Sequence, residues 1–267
     1  MDDAGTGQVN RNAAEVYEEF FVPALFRQWA PRLADAAQLA AGQVVLDVAC
    51  GTGVLAREAA ARVSPGGSVT GLDRNEGMLA VAGRKAPGIA WKPGRAEALP
   101  FADRSFDAVV SQFGLMFFED RVAALREMWR VLRPGGRLAV AVWDAAEHSP
   151  GYADMIALLQ RLFGDRIANE LRGPFVLGDT SALRSLFQQS GIADVEIRTV
   201  DGRARFPSLE SWMHTDVKGW TLADLIDETQ YRRLLQEAPR ELTRHVRSDG
   251  SVSFGMPAHI ATAGKPV

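Results

Sequence analysis

The stretch Val44-Val45-Leu46-Asp47-Val48-Ala49-Cys50-Gly51-Thr52-Gly53-Val54-Leu55-Ala56 decides the fold. Its first residues are β-branched or apolar except for one late acid. A Gly-x-Gly pair follows, and then Val54-Leu55-Ala56-Arg57-Glu58-Ala59-Ala60. That order reads as buried strand, tight turn and helix. Glycine is required in such a turn because a Cβ would hold the backbone away from a ligand. The helix that follows points its unpaired N–H groups at whatever occupies the turn. This is a nucleotide-binding turn.

Two cofactor classes use that geometry. Gly51-x-Gly53-x-x-Ala56 fits the dinucleotide fingerprint, and Asp73 stands about twenty residues further on, where a carboxylate holds ribose hydroxyls. The spacing alone is ambiguous. Asp47 separates the two, because its charge at the strand end faces the place where a dinucleotide would put its pyrophosphate. Like charges in a partly dry site cost on the order of several kcal/mol. S-adenosylmethionine carries an ammonium, a sulfonium and a ribose but no phosphate, so both acids become favourable.

Five motifs in order then carry a family resemblance: Asp47-Val-Ala-Cys-Gly-Thr-Gly53, Gly71-Leu-Asp73, Gly94-Arg-Ala-Glu-Ala-Leu-Pro-Phe101, Phe106-Asp-Ala-Val-Val110 and Leu132-Arg-Pro-Gly-Gly136. Together they resemble class I S-adenosylmethionine-dependent methyltransferases, in the small-molecule branch that holds the ubiquinone/menaquinone C-methyltransferases. They lie within residues 44 to 142, roughly a third of the chain, and speak for the cofactor domain more than for the acceptor.

Bounds from composition agree. A chain of 267 residues supports one substantial core. A net charge of -3 and a pI near 5.9 offer no long-range attraction to nucleic acid. One cysteine, Cys50, forms no internal disulfide and reads as a small residue under the turn. The start Met1-Asp2-Asp3 lacks the features of a signal peptide, and no apolar run approaches the ~20 residues of a membrane span. The expectation is a cytoplasmic protein, monomer or homodimer, with a small-molecule acceptor and neither nucleic acid nor membrane span. The four histidines and the cysteine show no metal-ligand spacing, so no metal is expected.

Strands and helices alternate from Val44 to Trp143, which implies a parallel sheet with helices on both faces and the ligand at the strands' carboxyl edge. The first nine residues are small and polar. From Asn10 to about Ala40, Val16, Phe20, Leu25 and Trp29 recur at helical spacing, punctuated by Pro23 and Pro31. After Trp143 the text reads as a helix near Gly151 to Phe163, a loop at Gly173–Gly178, a helix from Asp179 to Gly191 and a long strand from Val195 to Phe206. A helical stretch from Ser208 to about Arg247 and a final apolar run, Ser251 to Thr262, complete it.

The resemblance implies a Rossmann-like, doubly wound α/β fold of seven strands, the seventh antiparallel, with helical lid insertions. The divisions expected are 1–40 (helical cap), 41–143 (cofactor core), 144–178 (lid insertion), 179–206 (core helix and strand), 207–250 (second lid insertion) and 251–267 (final strand and tail). It further implies that Asp47, Ala49, Gly51, Thr52 and Gly53 hold the methionine end. Asp73 accepts the ribose hydroxyls, Arg74 and Met78 lie beside it, and Tyr17 with Phe20 or Phe21 covers the cofactor. Gln112 joins them at the end of the fourth strand.

The third-strand loop departs from the family pattern. Arg95 replaces an acid and cannot accept from adenine. The resemblance then implies that Ala96 N–H recognises the ring and that Glu97 or a backbone carbonyl takes the amine, while Arg95 stacks on adenine or pairs with a carboxylate.

Phe113, Met116, Phe117 and Trp143 form an apolar wall where the methyl should point; the same run also suits a buried loop core. His148 and His214 are the candidate bases, needed only if the acceptor loses a proton. Trp212 and Trp220 would anchor the cap. The function expected is methyl transfer to carbon or oxygen of a small, largely apolar molecule, with S-adenosylhomocysteine as product. Two rivals are a cofactor-binding protein of cyclase-like activity and, against Asp47 and the missing Tyr-x-x-x-Lys motif, a NAD-dependent oxidoreductase.

Overall fold

The computed structural model describes residues 11–219 and 221–267. The expectations for residues 1–9, for a helix start at Asn10 and for Trp220 lie outside the described residues.

The strands are β1 (Val44–Val48), β2 (Ser68–Asp73), β3 (Ala90–Pro93), β4 (Phe106–Gln112), β5 (Leu132–Trp143), β6 (Glu196–Val200), β7 (Arg203–Phe206), β8 (Val252–Gly255) and β9 (Ala258–Gly264). Seven of them form one sheet in the order β3-β2-β1-β4-β5-β9-β6. The first five run parallel, and β9 is antiparallel to both its neighbours, β5 and β6. This is the expected mixed seven-stranded sheet. The order reverses between β1 and β4, so their carboxyl ends open a crevice there, the natural ligand position in such sheets. The apolar runs of β1, β4 and β5 are buried on both faces because helices cover both.

Helices α3 (Val54–Val63), α4 (Glu76–Lys85) and α5 (Arg121–Val131) make the crossovers. Local chemistry fixes their starts. Gly53 adopts φ +84° ahead of α3, the Asn75 side chain accepts from Met78 N–H ahead of α4, and Asp120 accepts from Ala123 N–H ahead of α5.

Residues 11–36 are helical throughout, as α1 (Arg11–Val16), a π-helical stretch Tyr17–Phe26, a short 3-10 turn and α2 (Ala30–Ala36). Pro23 explains the wide winding, since it has no N–H to donate within an α-helical ladder; the N–H of Arg27 reaches back five residues to Val22 O. Phe21, Val22, Leu25, Phe26 and Trp29 are consequently all buried, rather than only the residues at simple helical spacing.

Two readings change beyond Trp143. Residues 165–172 form a further helix, α7 (Asp165–Arg172), after α6 (Pro150–Phe163), where the sequence reading assigned no element. The long strand expected over Val195–Phe206 breaks into β6 and β7, and the last apolar run into β8 and β9. Each break has its own cause. Gly202 lies so close to Trp29 that a Cβ would sit 2.2 Å from its ring, while Pro257 has no N–H for a ladder. Met256 N–H bonds Gly202 O at 2.8 Å, so the two strands leave the sheet together and continue as the separate pair β7-β8. That pair meets α6 and α9 (Leu209–Lys218) in an aromatic cluster. Phe206 stacks on Trp212 at 5.7 Å and Phe254 lies 4.8 Å from the same ring. Helices α8 (Thr180–Gln189) and α10 (Glu228–Leu242) complete the chain.

Under the glycine turn, the Trp91 indole fills the space that Cβ atoms on Gly53 and Gly71 would take, each 2.4 Å from the ring. Gly71→Ala should therefore cost about 1–3 kcal/mol by overpacking. Gly88→Ala, with nothing within 4 Å, should stay within about 0.5 kcal/mol. Chemical denaturation of both variants checks this, and equal midpoints would contradict it.

Candidate active site

The crevice at the ends of β1, β2 and β4 holds a cavity of about 150 Å³. Gly51 and Ala49 from the β1 turn form its floor, and Asp73 closes one side. Ala49 and Phe113, which follow β1 and β4, both take positive φ (57° and 56°), uncommon for residues with side chains. Gly114 lets these two turns meet, since a Cβ there would lie 2.6 Å from that of Ala49. Backbone strain is thus concentrated where the cavity floor is made.

Electrostatics make the cavity acidic. Asp73 accepts Gly51 N–H and Asn75 N–H, each at 2.8 Å, through separate oxygens. Burial raises its pKa, and those two N–H groups and Arg74 pull it back. Asp47 is 1% exposed, and neither oxygen meets a donor at hydrogen-bonding geometry. Burial pushes its pKa well up, the Asp73 carboxylate adds to this, and the Ala56 N–H offsets only part. A buried carboxylate without donor or cation is costly. Burial and the same two acids raise the Cys50 thiol and so favour its neutral form.

Tyr17 roofs the turn, its ring 3.8 Å from a Cβ on Gly51, and burial lifts its hydroxyl pKa. At the other end Arg95 pairs with Glu119 at 2.6 Å and with Glu97 at 3.6 Å, while Arg74 reaches Glu119 at 3.3 Å. Of the two roles open to Arg95, the structure shows the carboxylate pair. Glu97 accepts Glu119 N–H at 3.0 Å, and Ala96 is buried against the cavity.

Of the residues singled out from sequence, Tyr17, Ala49, Gly51, Asp73, Arg74, Met78, Arg95, Ala96, Glu97, Gln112, Phe113 and Phe117 line this cavity. Asp47 and Thr52 are buried beneath the floor, and Thr52 Oγ1 is likewise without a partner. Gly53 is not among the residues lining the cavity; Trp91 fills its Cβ direction, so packing as well as its positive φ calls for glycine there. Met116 is buried outside the cavity walls. Trp143 stacks on Phe113 at 3.7 Å but faces a second, smaller cavity. His148 and His214 line neither. His148 is exposed and bonded to Asp144 at 2.9 Å, and His214 lies edge-on to Phe20 at 5.7 Å.

Sequence reasoning missed Asn75, Phe26 and Gly219 on the cavity wall. Asn75 had a signal, an N-cap residue two places after Asp73. Gly219 had none: a Cβ there would meet Phe21 at 2.6 Å, and only the packed structure shows that α9 ends against the amino-terminal helix. Among the described residues no cluster has the makings of a metal site.

Comparison with known proteins accords with this geometry. The methyltransferase domain family matches residues 46–140. A demethylmenaquinone methyltransferase of Renibacterium salmoninarum is 44% identical over 124 residues, 46% of this chain and 51% of its own length. One of Staphylococcus carnosus is 35% identical over 188 residues, 65% of this chain and 78% of its own. The match thus spans about half of the first relative and over three quarters of the second. The solved YcgJ protein of Bacillus subtilis shares the fold with TM-score 0.62 at 23% identity, covering 90% of this chain and 99% of that one. A Rossmann-like methyltransferase fold with an acidic, glycine-floored cavity is the class these features define. The chain belongs to the S-adenosylmethionine-dependent methyltransferase family that contains the demethylmenaquinone methyltransferases, as the five motifs implied.

Because the folded pKa of Asp47 lies above its unfolded value, the stability linked to it is present at low pH and lost as pH rises. Asp47→Asn should therefore raise the melting temperature of the unliganded protein at about pH 8 by ~2 °C or more, the size of ~1 kcal/mol in a chain this long, and raise it less at about pH 5. Thermal unfolding at both pH values tests the sign; a destabilised variant at the higher pH contradicts it.

Proposed function

We propose that this protein transfers the methyl group of S-adenosylmethionine, by direct displacement, to carbon or oxygen of a small, largely apolar molecule. The observation that carries the reading is the pair of buried acids, Asp47 and Asp73, around a turn where the exposed Arg74 offsets Asp73 only in part and, among the described residues, no cation pairs with Asp47. A ligand with ammonium, sulfonium and ribose supplies the missing positive charge and the hydroxyl donors. A dinucleotide pyrophosphate would add two negative charges to the same place.

In this reading Asp47 acts on the methionine ammonium from beneath Gly51 and Asp73 takes the ribose hydroxyls. Each Asp73 oxygen already accepts one backbone N–H and keeps capacity for another donor. Met78 and Ala96 flank the adenine, with Glu97 toward its amine. Tyr17 and Phe26, from the amino-terminal helix, and Gly219, from the end of α9, exclude water from above. Bound cofactor supplies an activated methyl, so the chain's contribution is alignment and desolvation. His148 and His214 have no place in this arrangement.

Purified protein should show a thermal shift with S-adenosylmethionine and S-adenosylhomocysteine and none with NAD, about 2.7 kcal/mol of stabilisation at one hundred times the dissociation constant. Asp73→Ala and Gly51→Val should each abolish it. A shift with NAD alone, or micromolar affinity kept in both variants, contradicts the reading.

A further inference from the structure

A second cavity, of about 40 Å³, lies beyond the first. Phe26 lines both, and of the stacked pair Phe113–Trp143 one ring lines each, so aromatic side chains stand between the two. Nearly all of the second cavity's wall is apolar, with Leu25, Leu171, Phe175 and Met256 among its residues. Against that wall stands Asp216, on α9 and only 3% exposed. Its oxygens accept Trp212 Nε1–H at 2.7 Å and the Tyr152 hydroxyl at 3.3 Å. No basic residue lines the cavity, and Glu170 is the other acid on its wall. Two neutral donors do not offset the burial of a carboxylate as a cation would. An acid is held here where the shape of the core alone would be better served by an apolar residue.

We propose that the second cavity receives the hydroxyl-bearing edge of an apolar acceptor and that Asp216 takes the hydroxyl proton, with Tyr152 and Trp212 orienting its carboxylate. This rests on the cofactor reading given above. The electron pair freed on the acceptor, at oxygen or at the ring carbon beside it, forms the bond to the methyl carbon. The carbon–sulfur bond breaks and its electrons stay on sulfur. Methylation at oxygen ends there; methylation at carbon is followed by return of the ring proton to the oxygen. In both cases one proton is left on Asp216 and passes to water.

The electrostatics suit that task. Burial raises the Asp216 pKa to about 7, against the pull of Trp212 and Tyr152, which places it in the range where a general base works near neutral pH. Size adds a requirement. A dry cavity that holds benzene measures about 150 Å³, so a ring enters the second cavity only as Phe26 moves aside. The same movement joins the two cavities and brings acceptor and methyl donor into one space.

Binding of 1-naphthol and of 1-methoxynaphthalene to protein saturated with S-adenosylhomocysteine, followed by tryptophan fluorescence, tests the proposal. The wild-type protein should bind the phenol about tenfold or more tightly than the ether, because the ether leaves Asp216 without its donor. In Asp216→Asn the preference should fall below about threefold and methyl transfer to 1-naphthol should be lost, while S-adenosylhomocysteine affinity stays within about twofold. Equal binding of phenol and ether by the wild-type protein, a measurement that needs no variant, overturns the acceptor site. So does tighter binding of the cation 1-naphthylmethylamine. Failure of S-adenosylhomocysteine itself to bind would instead overturn the cofactor reading.

Discussion

Two buried carboxylates at one crevice, offset among the described residues only by the exposed Arg74 beside Asp73, are the constraint around which this structure is built. Asp47 and Asp73 end β1 and β2, and the turn between β1 and α3 brings them together. A sheet of parallel strands fixes both positions rigidly, so neither acid can move to solvent. The unliganded fold bears the electrostatic cost, and a cationic ligand removes it. Affinity and instability therefore have the same source, as is common where stability is given up for function.

The rest of the fold completes the enclosure. Pro23 widens the amino-terminal helix, which turns Phe21, Val22, Leu25 and Phe26 inward together. Gly219 lets α9 close on that helix, and Gly202 with Pro257 sends β7 and β8 away from the sheet to anchor α9 through Trp212. Through these contacts one helix, α9, touches both cavities: its end roofs the first and Asp216 faces the second. An arrangement that couples the two spaces through Phe26 and α9 suits two ligands that must meet in order.

The alternation of strands and helices up to Trp143 and most of the first cavity's wall were legible in the sequence because both rest on short-range signals, whereas the antiparallel seventh strand came from the family resemblance. A strand, a Gly-x-Gly turn and an acid at the next strand end are fixed within about thirty residues of one βαβ unit. The regions beyond Trp143 were less legible for a physical reason. The break between β6 and β7 depends on Trp29, far away in sequence, and α7 lies directly after another helix with only Gly164 between them. The packing of Trp91 beneath Gly53 was not legible, because the turn motif does not reveal what lies under it. Asp216 carried no motif; its position between Trp212 and Tyr152 exists only in the assembled core.

The central claim is that a cation relieves the buried acids, and calorimetric proton release tests it most directly. S-adenosylmethionine is titrated into the protein at about pH 6 in buffers of different ionisation enthalpy, where the ligand's amino group stays protonated throughout. Binding should release protons, because a positive ligand lowers the raised pKa values of Asp47 and Asp73, and the release should shrink in Asp47→Asn. Tight binding with no proton release, identical in the two proteins, would show that these acids do not meet the ligand's charge.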